Sequence, residues 1–377
     1  MYYICKNSRR MILAKFSVKN YRGFSERIEW DLSTPNNYEF NTEVIKDGII
    51  KNGIIYGPNG SGKTNFGLAL FDIVNHLGQR WKKLDYYANF VYVGKLDAPV
   101  EFKYVFKDAE RIINYCYSKN NIGQLLTEKL SVNNKTVFER TARTFNIDTD
   151  EFPMENIIKR NLKDNANNVS IINFLRTSYP LAKNHYLLAL LQFVDSMLWF
   201  RCLDTREFIG LDLAPTNLDE YIIQNNLETD FAEFLQQVSD QEYQFAKPRP
   251  NDKRLVCKIG GRDVLFDPII STGTNALMLL YFWIQKMKDA SFVFIDEFDA
   301  FYHFKLAFEV CKRLFALDCQ VFTSSHNTYL MTNDLLRPDC NFIVNNNKIK
   351  PLSACTEKEL RFGHNIEKLF RGNAFQL

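Results

Sequence analysis

The chain has 377 residues, of which 46% are hydrophobic, 24% charged and 14% aromatic, the composition of a soluble globular protein with one large domain and insertions, or with two domains. Lys and Arg number 47 against 44 Asp and Glu, a formal net charge of +3 that excludes a strong general attraction to nucleic acid and leaves only a local basic patch open. The eight cysteines lack C-x-x-C spacing, so they indicate neither a zinc site nor a disulfide framework, and reduced cytoplasmic thiols are the default.

Residues 1–10 carry Lys6, Arg9 and Arg10 without a cleavage site, and Met11 has the form of a start residue, so the first ten residues are expected to be dispensable. Alternation over Ile12 to Val18 predicts a strand, Asn20 to Phe24 a turn, and Arg27 to Leu32 the returning strand. Arg22, in that turn, is either a cation facing a nucleotide or an exposed turn arginine. After a loop rich in Asn and Pro, the apolar run Gly53 to Tyr56 leads into Gly57, Pro58, Asn59, Gly60, Ser61, Gly62, Lys63 and Thr64. These eight residues match G-x-x-x-x-G-K-[ST] at every position, and the stretch Asn65 to Val74 behind them reads as a helix. Glycines there let successive N–H groups turn inward on phosphate oxygens at the positive end of the helix. The pattern predicts a nucleoside triphosphate site, with Lys63 reaching the β- and γ-phosphates and the Thr64 hydroxyl on Mg2+.

Strict alternation in Val100 to Phe106 and Ile113 to Tyr117, continued by Leu125 to Val132 and Thr136 to Arg140, predicts an antiparallel meander. From Glu151 to Val238 the pattern turns helical, with an Asn-rich stretch at 164–168. Its most apolar part, Tyr186 to Phe200, is too short and too polar at Gln192 and Asp195 to span a membrane, and reads as a buried or partner-facing helix. A polar loop, Phe245 to Arg254, then precedes a hairpin whose strands, Leu255 to Ile259 and Asp263 to Phe266, flank Gly260 and Gly261.

Three pieces in the last third bear chemistry. Ile270 to Asn275, containing Ser271 and Gly273, precedes the helix Ala276 to Met287; it is either an N-cap or a second anion site. The run Ser291 to Ile295 ends in Asp296 and Glu297, the form of a buried parallel strand reaching its active edge. Asp296 would take the Mg2+ shell and Glu297 would polarise the attacking water. The strand Asp318 to Ser325 ends at His326, which could touch the γ-phosphate.

Taken together, the phosphate loop, long insertion, Ser-Thr-Gly-Thr before a helix, Asp-Glu strand end and Ser-Ser-His strand end resemble the ABC-class ATPases related to SMC, RecF and OLD proteins. The opening Leu13 to Phe24 and the tail segments Leu336 to Asp339 and Asn365 to Gly372 are similar to those of bacterial proteins labelled AAA-family ATP-binding proteins. The resemblance implies an α/β fold: an ABC-ATPase head, a P-loop NTPase with a mixed or parallel sheet and an antiparallel β subdomain, plus a helical insertion. It divides the chain into an N-terminal lobe at 11–150, the insertion at 151–250, and a C-terminal lobe at 251–377. It implies ATP and Mg2+ as ligands and Lys63, Glu297 and His326 as catalytic residues. The phosphate loop through Asn65 would bind nucleotide, and Thr64 and Asp296 the metal. Ser271 and Gly273 would grip ATP held by a second subunit, in a homodimer or higher even oligomer, and Asp299 and His303 would contact that subunit. Ser271 to Asn275 departs from the family's Ser-Gly-Gly-Gln, and Gln124 is the candidate for the glutamine that such sites carry. Such relatives serve in prokaryotic anti-phage defence as regulators of a separately encoded nuclease or toxin. A RecF- or SMC-like clamp on nucleic acid, a transporter's nucleotide-binding half and a non-hydrolysing scaffold are the alternatives.

Overall fold

The computed structural model describes residues 11–78, 87, 89–108, 111–164, 169–201, 208–210, 217–249 and 252–376. The first ten residues and most of the Asn-rich stretch lie outside them. Two seven-stranded sheets organise these residues. The antiparallel sheet runs, in spatial order, Phe145–Ile147, Lys135–Arg140, Leu125–Val132, Arg111–Lys119, Val100–Asp108, Ile12–Lys19 and Ile28–Asp31. This is the expected meander, extended by the N-terminal strand pair through antiparallel register such as Phe16 opposite Tyr104.

The second sheet runs Phe208–Gly210, Met197–Arg201, Phe292–Asp296, Gln320–Ser325, Asn52–Tyr56, Asn341–Asn345 and Lys348–Pro351. Its five inner strands are parallel and its two edge strands antiparallel. Asn52–Tyr56, Phe292–Asp296 and Gln320–Ser325 are buried along their whole length, which is why Phe292 to Ile295 reads as a continuous apolar run rather than an alternating one. The carboxyl ends of the three strands that carry the phosphate loop, Asp296 and His326 therefore share one edge, where open α/β sheets bind ligands.

The helices are α1 (Lys63–Leu70), α2 (Asp72–Leu77), α3 (Asn156–Asp164), α4 (Ile171–Ser178), α5 (Tyr186–Asp195), α6 (Leu218–Gln224), α7 (Glu228–Ser239), α8 (Thr272–Met287), α9 (Phe304–Phe315) and α10 (Ile366–Arg371). Helix α1 lies between the sheets. Phe66 meets Phe16 and Trp30 edge-on at 5.6 and 5.3 Å, and Trp30 in turn meets Phe322 at 4.6 Å. On the other side Gly67 lies so close to the second sheet that a β-carbon there would come within 2.8 Å of the Phe294 ring and 2.9 Å of Trp199. The sheets are also joined by Gln320, whose side chain accepts from Leu13 N at 2.7 Å and donates to the Leu13 and Ile50 carbonyls. A register shift between Leu13 and Lys15 frees that backbone for the bridge.

Two expectations are corrected. The helix expected over Asn65 to Val74 is broken at Phe71, where the Tyr104 hydroxyl donates to the Ala69 and Leu70 carbonyls at the end of α1. The apolar stretch read as a single helix to Phe200 stops at Asp195, and Met197–Arg201 becomes a strand parallel to Phe292–Asp296. Ser196 closes α5 by donating to the Gln192 and Phe193 carbonyls, and Ser291 N–H then donates to the Ser196 carbonyl, drawing the next residues into the sheet. The helical stretch expected from Glu151 to Val238 thus also supplies two strands of the second sheet. Helix α8 covers this sheet through Trp283 stacked on Phe200 at 5.2 Å, and α7 joins α8 through Asp230, which accepts from Tyr281 and Gln285.

Candidate nucleotide-binding site

The loop from Gly57 to Gly62 leaves the carboxyl end of Asn52–Tyr56 and enters α1 through Gly62, whose φ of 101° is open to glycine and strained for other residues. A β-carbon at Gly62 would also lie 2.8 Å from the Phe24 ring, so the turn Asn20 to Phe24 is packed directly on the loop. This brings Arg22 near the site; its Nε is buried without a hydrogen bond and its guanidinium lies 5.6 Å over the Tyr21 ring. Pro58, Asn59 and Gly60 are exposed at the tip, and Asn65 lies in the first turn of α1.

Lys63 Nζ donates to the Gly57 and Pro58 carbonyls at 2.9 and 3.2 Å, folded back over its own loop. Burial lowers its affinity for a proton, and the nearby carboxylates of Asp296 and Glu297 act in the opposite sense. Ser61 Oγ is buried without a partner. A cradle of backbone N–H groups, one folded-back ammonium and one orphaned hydroxyl has the donor set that a phosphate chain needs.

The Thr64 hydroxyl donates to Asp296 Oδ2 at 2.7 Å, and Ser324 Oγ donates to Asp296 Oδ1 at 2.6 Å. Ser324 Oγ also accepts from Glu297 N at 2.8 Å, so one hydroxyl of the neighbouring strand fixes both acidic residues. Asp296 is wholly buried; desolvation raises its carboxyl above the usual aspartate range, while the Ser324 and Thr64 bonds pull the other way. A hydroxyl from the first turn of α1 and a carboxylate from a strand end are hard oxygen ligands of the kind Mg2+ takes, so these residues fit that ion. Glu297 turns away from the strand with φ 50°, which directs its side chain to Arg201 rather than to Asp296. His326, at the end of Gln320–Ser325, is held below the ordinary histidine range by burial first and by the Lys63 charge second.

The residues expected to face a second subunit lie at the start of α8 and in and after the loop that follows Glu297. Ser271 caps α8, accepting from Thr274 N at 3.1 Å, and Thr274 Oγ1 donates to Gln241 at 3.0 Å. Gly273 lies beside the Phe301 carbonyl, in the loop that follows Glu297, and Tyr302 donates to the Ala276 carbonyl. Asp299 accepts from Ser325 Oγ at 2.7 Å within its own chain, whereas His303, which precedes α9, is exposed. Gln124 sits in the hairpin turn before Leu125–Val132, paired with Asn120 at 2.9 Å, and among the described residues no hydrogen bond joins it to the phosphate site. The residue that does reach the carboxylates from the neighbouring strand is Arg201, 3.1 Å from Glu297 Oε2 and 3.7 Å from Asp296 Oδ2. Its only sequence signal was a basic residue ending the apolar run Met197 to Phe200, the mirror of Asp296 ending Phe292 to Ile295.

Residues 54–332 match the family model described as AAA domain, putative AbiEii toxin, Type IV TA system. The chain belongs to this family. It is an AAA-domain protein that carries a complete phosphate-loop sequence on the α/β fold described above. No curated protein matches it. Among solved structures it is similar to the SMC head domain from Thermotoga maritima, at 16% identity and a TM-score of 0.44 over 90% of this chain and 97% of that one. It is similar to an SmcHead bound to the C-winged helix domain of ScpA, at 16% identity and a TM-score of 0.46 over 90% and 96%. A third, the Smc head domain with an extended coiled coil bound to the C-terminal domain of ScpA derived from Pyrococcus furiosus, gives 14%, 0.44, 90% and 95% in the same measures. Among the described residues of this AAA-domain protein, no helix is long and apolar enough to cross a membrane.

Proposed function

We propose that this chain binds and hydrolyses ATP with Mg2+ at the site of Lys63, Thr64, Asp296 and Glu297, as a cytoplasmic switch governing a separately encoded nuclease or toxin in anti-phage defence. The observation that carries the ATPase reading is the 2.7 Å hydrogen bond between Thr64 and Asp296, which joins the phosphate loop to the acidic strand across 232 residues of sequence. Its two members are the ligands a Mg2+ ion needs beside a β- and γ-phosphate. When bound, the metal neutralises phosphate charge and aligns the terminal phosphoryl group. Lys63 exchanges the Gly57 and Pro58 carbonyls for phosphate oxygens, a stronger charge-assisted pairing. The loop glycines bind and orient the phosphates, Glu297 polarises the attacking water, and His326 senses the terminal phosphate. Catalysis then rests on positioning and charge, since little covalent chemistry is asked of the protein.

Two such heads meet head to tail, with Ser271 and Gly273 of one completing the nucleotide site of the other. Support comes from their position at the amino end of α8, beside the loop that leaves Glu297. The family description supports a place in a type IV TA system but gives the putative toxin label to the domain itself, so the partner that this chain would govern is our own addition. Light scattering of wild type and Glu297→Gln, with and without Mg-ATP and alongside phosphate release, tests the switch. The variant is expected to accumulate an ATP-dependent dimer without turnover. If ATP alters neither mass nor phosphate release in either protein, the trans-acting reading fails. Co-purification with the product of the neighbouring gene tests the effector.

A further inference from the structure

Arg201 comes from a strand that contributes nothing else to the phosphate site, yet it lies directly opposite Asp296 in the parallel register. Its Nη2 donates to Glu297 Oε2 at 3.1 Å. Its Nε is buried without a hydrogen bond, and at 3.7 Å from Asp296 Oδ2 its hold on that carboxylate is electrostatic rather than directional. The Asp296 side chain has 0% exposure, against 29% for Arg201 and 24% for Glu297. Both Asp296 oxygens accept from neutral hydroxyls, Thr64 and Ser324, which satisfy hydrogen bonding and bring no charge. Among the described residues Lys63 is the other cation near both carboxylates, and its ammonium is spent on the Gly57 and Pro58 carbonyls. Compensation of a buried aspartate and its acidic neighbour therefore falls mainly to Arg201, because an unpaired charge there would be costly.

On the reading of this site as one for Mg-ATP, we propose that Arg201 is a positioning residue that stands in for the divalent cation while the nucleotide is absent. The guanidinium balances Asp296 and Glu297 and keeps free metal from settling on them. A divalent ion arriving with ATP repels the guanidinium from Asp296, which loosens the same side chain's grip on Glu297. Arrival of the metal and release of Glu297 are thereby coupled through one residue. Arg suits this task better than Lys for directional contact, since its planar fork can face two carboxylates at once, but the exclusion itself depends on charge.

The test is a titration of nucleotide-free protein with Mn2+, followed by the electron paramagnetic resonance signal of the free ion. Wild type is expected to bind weakly. Arg201→Gln is expected to bind about tenfold more tightly, the size of change that loss of a neighbouring opposite charge has on proton affinity at such a carboxylate. Arg201→Lys should stay close to wild type. Arg201→Met, which keeps the apolar stem, takes the place of the Gln variant if circular dichroism shows that variant unfolded. Equal Mn2+ affinity in wild type and the neutral variants overturns the proposal, as does Mn2+ binding by Arg201→Lys as tight as by Arg201→Gln. The same samples are titrated with Mn2+ and a non-hydrolysable ATP analogue. If none of them binds it, the reading of the site has failed; if all bind it and Mn2+ alone is indifferent to Arg201, only the stand-in role has.

Discussion

Replacing Glu128 with Gln removes one negative charge from a place that water does not reach. The Glu128 side chain has 0% exposure and that of its partner Arg140 1%, with 3.0 Å between them. The carboxylate is saturated: Tyr115 and Ser170 hydroxyls donate to one oxygen at 2.8 and 2.9 Å, and Ile171 N and Arg140 donate to the other. Arg140 also donates to the Leu162 and Val169 carbonyls, so this pair clasps α3 and the start of α4 to the antiparallel sheet. In Glu128→Gln the amide NH2 faces at least one of these donors, and Arg140 keeps a buried charge without a counter-charge. Removing one partner of a buried pair costs about 3–5 kcal/mol. With a midpoint shift of roughly 2–4 °C per kcal/mol in larger domains, the thermal midpoint should fall by about 6–20 °C. Calorimetry measures that fall, and hydrogen exchange should show faster exchange at the Ile171 amide, which loses its carboxylate acceptor. Glu128→Met with Arg140→Met should cost less than Glu128→Gln alone, since it leaves no orphaned charge. If Glu128→Gln lies within about 1 kcal/mol of wild type, the value of an exposed pair, the clasp is not what holds these helices.

Thr64→Val removes the hydroxyl that meets Asp296 and should weaken ATP binding in the presence of Mg2+ far more than in EDTA; calorimetric titration with equal losses in both would refute a shared metal site. Ser271→Asp keeps an N-cap for α8, so thermal stability should be nearly unchanged, while its negative charge should abolish the ATP-dependent dimer. A dimer that survives makes Ser271 a cap and nothing more. His326 should titrate by NMR below the ordinary value of 6.5, and Lys63→Met should move its midpoint upward, because the Lys63 charge is one of the causes of the shift. A lowered folded-state value means the unfolded chain binds more protons below 6.5, so this group makes stability rise with pH through that window and leaves it flat above. A His326 midpoint insensitive to Lys63 would separate the two residues.

The phosphate loop was legible because its chemistry is local. The glycines, Lys63 and Thr64 act through backbone and side chains within one turn, and their spacing alone prescribes the strand, loop and helix around them. The meander was equally legible, since alternation reports directly on a sheet with one covered face. Asp296 and His326 could be read as strand ends by their burial pattern, but their meeting with Thr64 and Lys63 depends on strand order, which adjacent residues do not encode.

Arg201 shows where local reading stops. Tyr186 to Phe200 is apolar apart from Gln192, Asp195 and Ser196, and so short an apolar run gives no period by which to divide helix from strand. The division at Ser196 comes from Ser291 and from the open edge of Phe292–Asp296, both nearly a hundred residues away in the chain. The break of α1 at Phe71 has the same origin, in a Tyr104 hydroxyl supplied by the other sheet. The spacing of glycines, Lys63 and Thr64 is enough to point to a phosphate site. Tertiary structure decided which charges face one another, because a buried carboxylate takes its partner from whatever strand lies beside it.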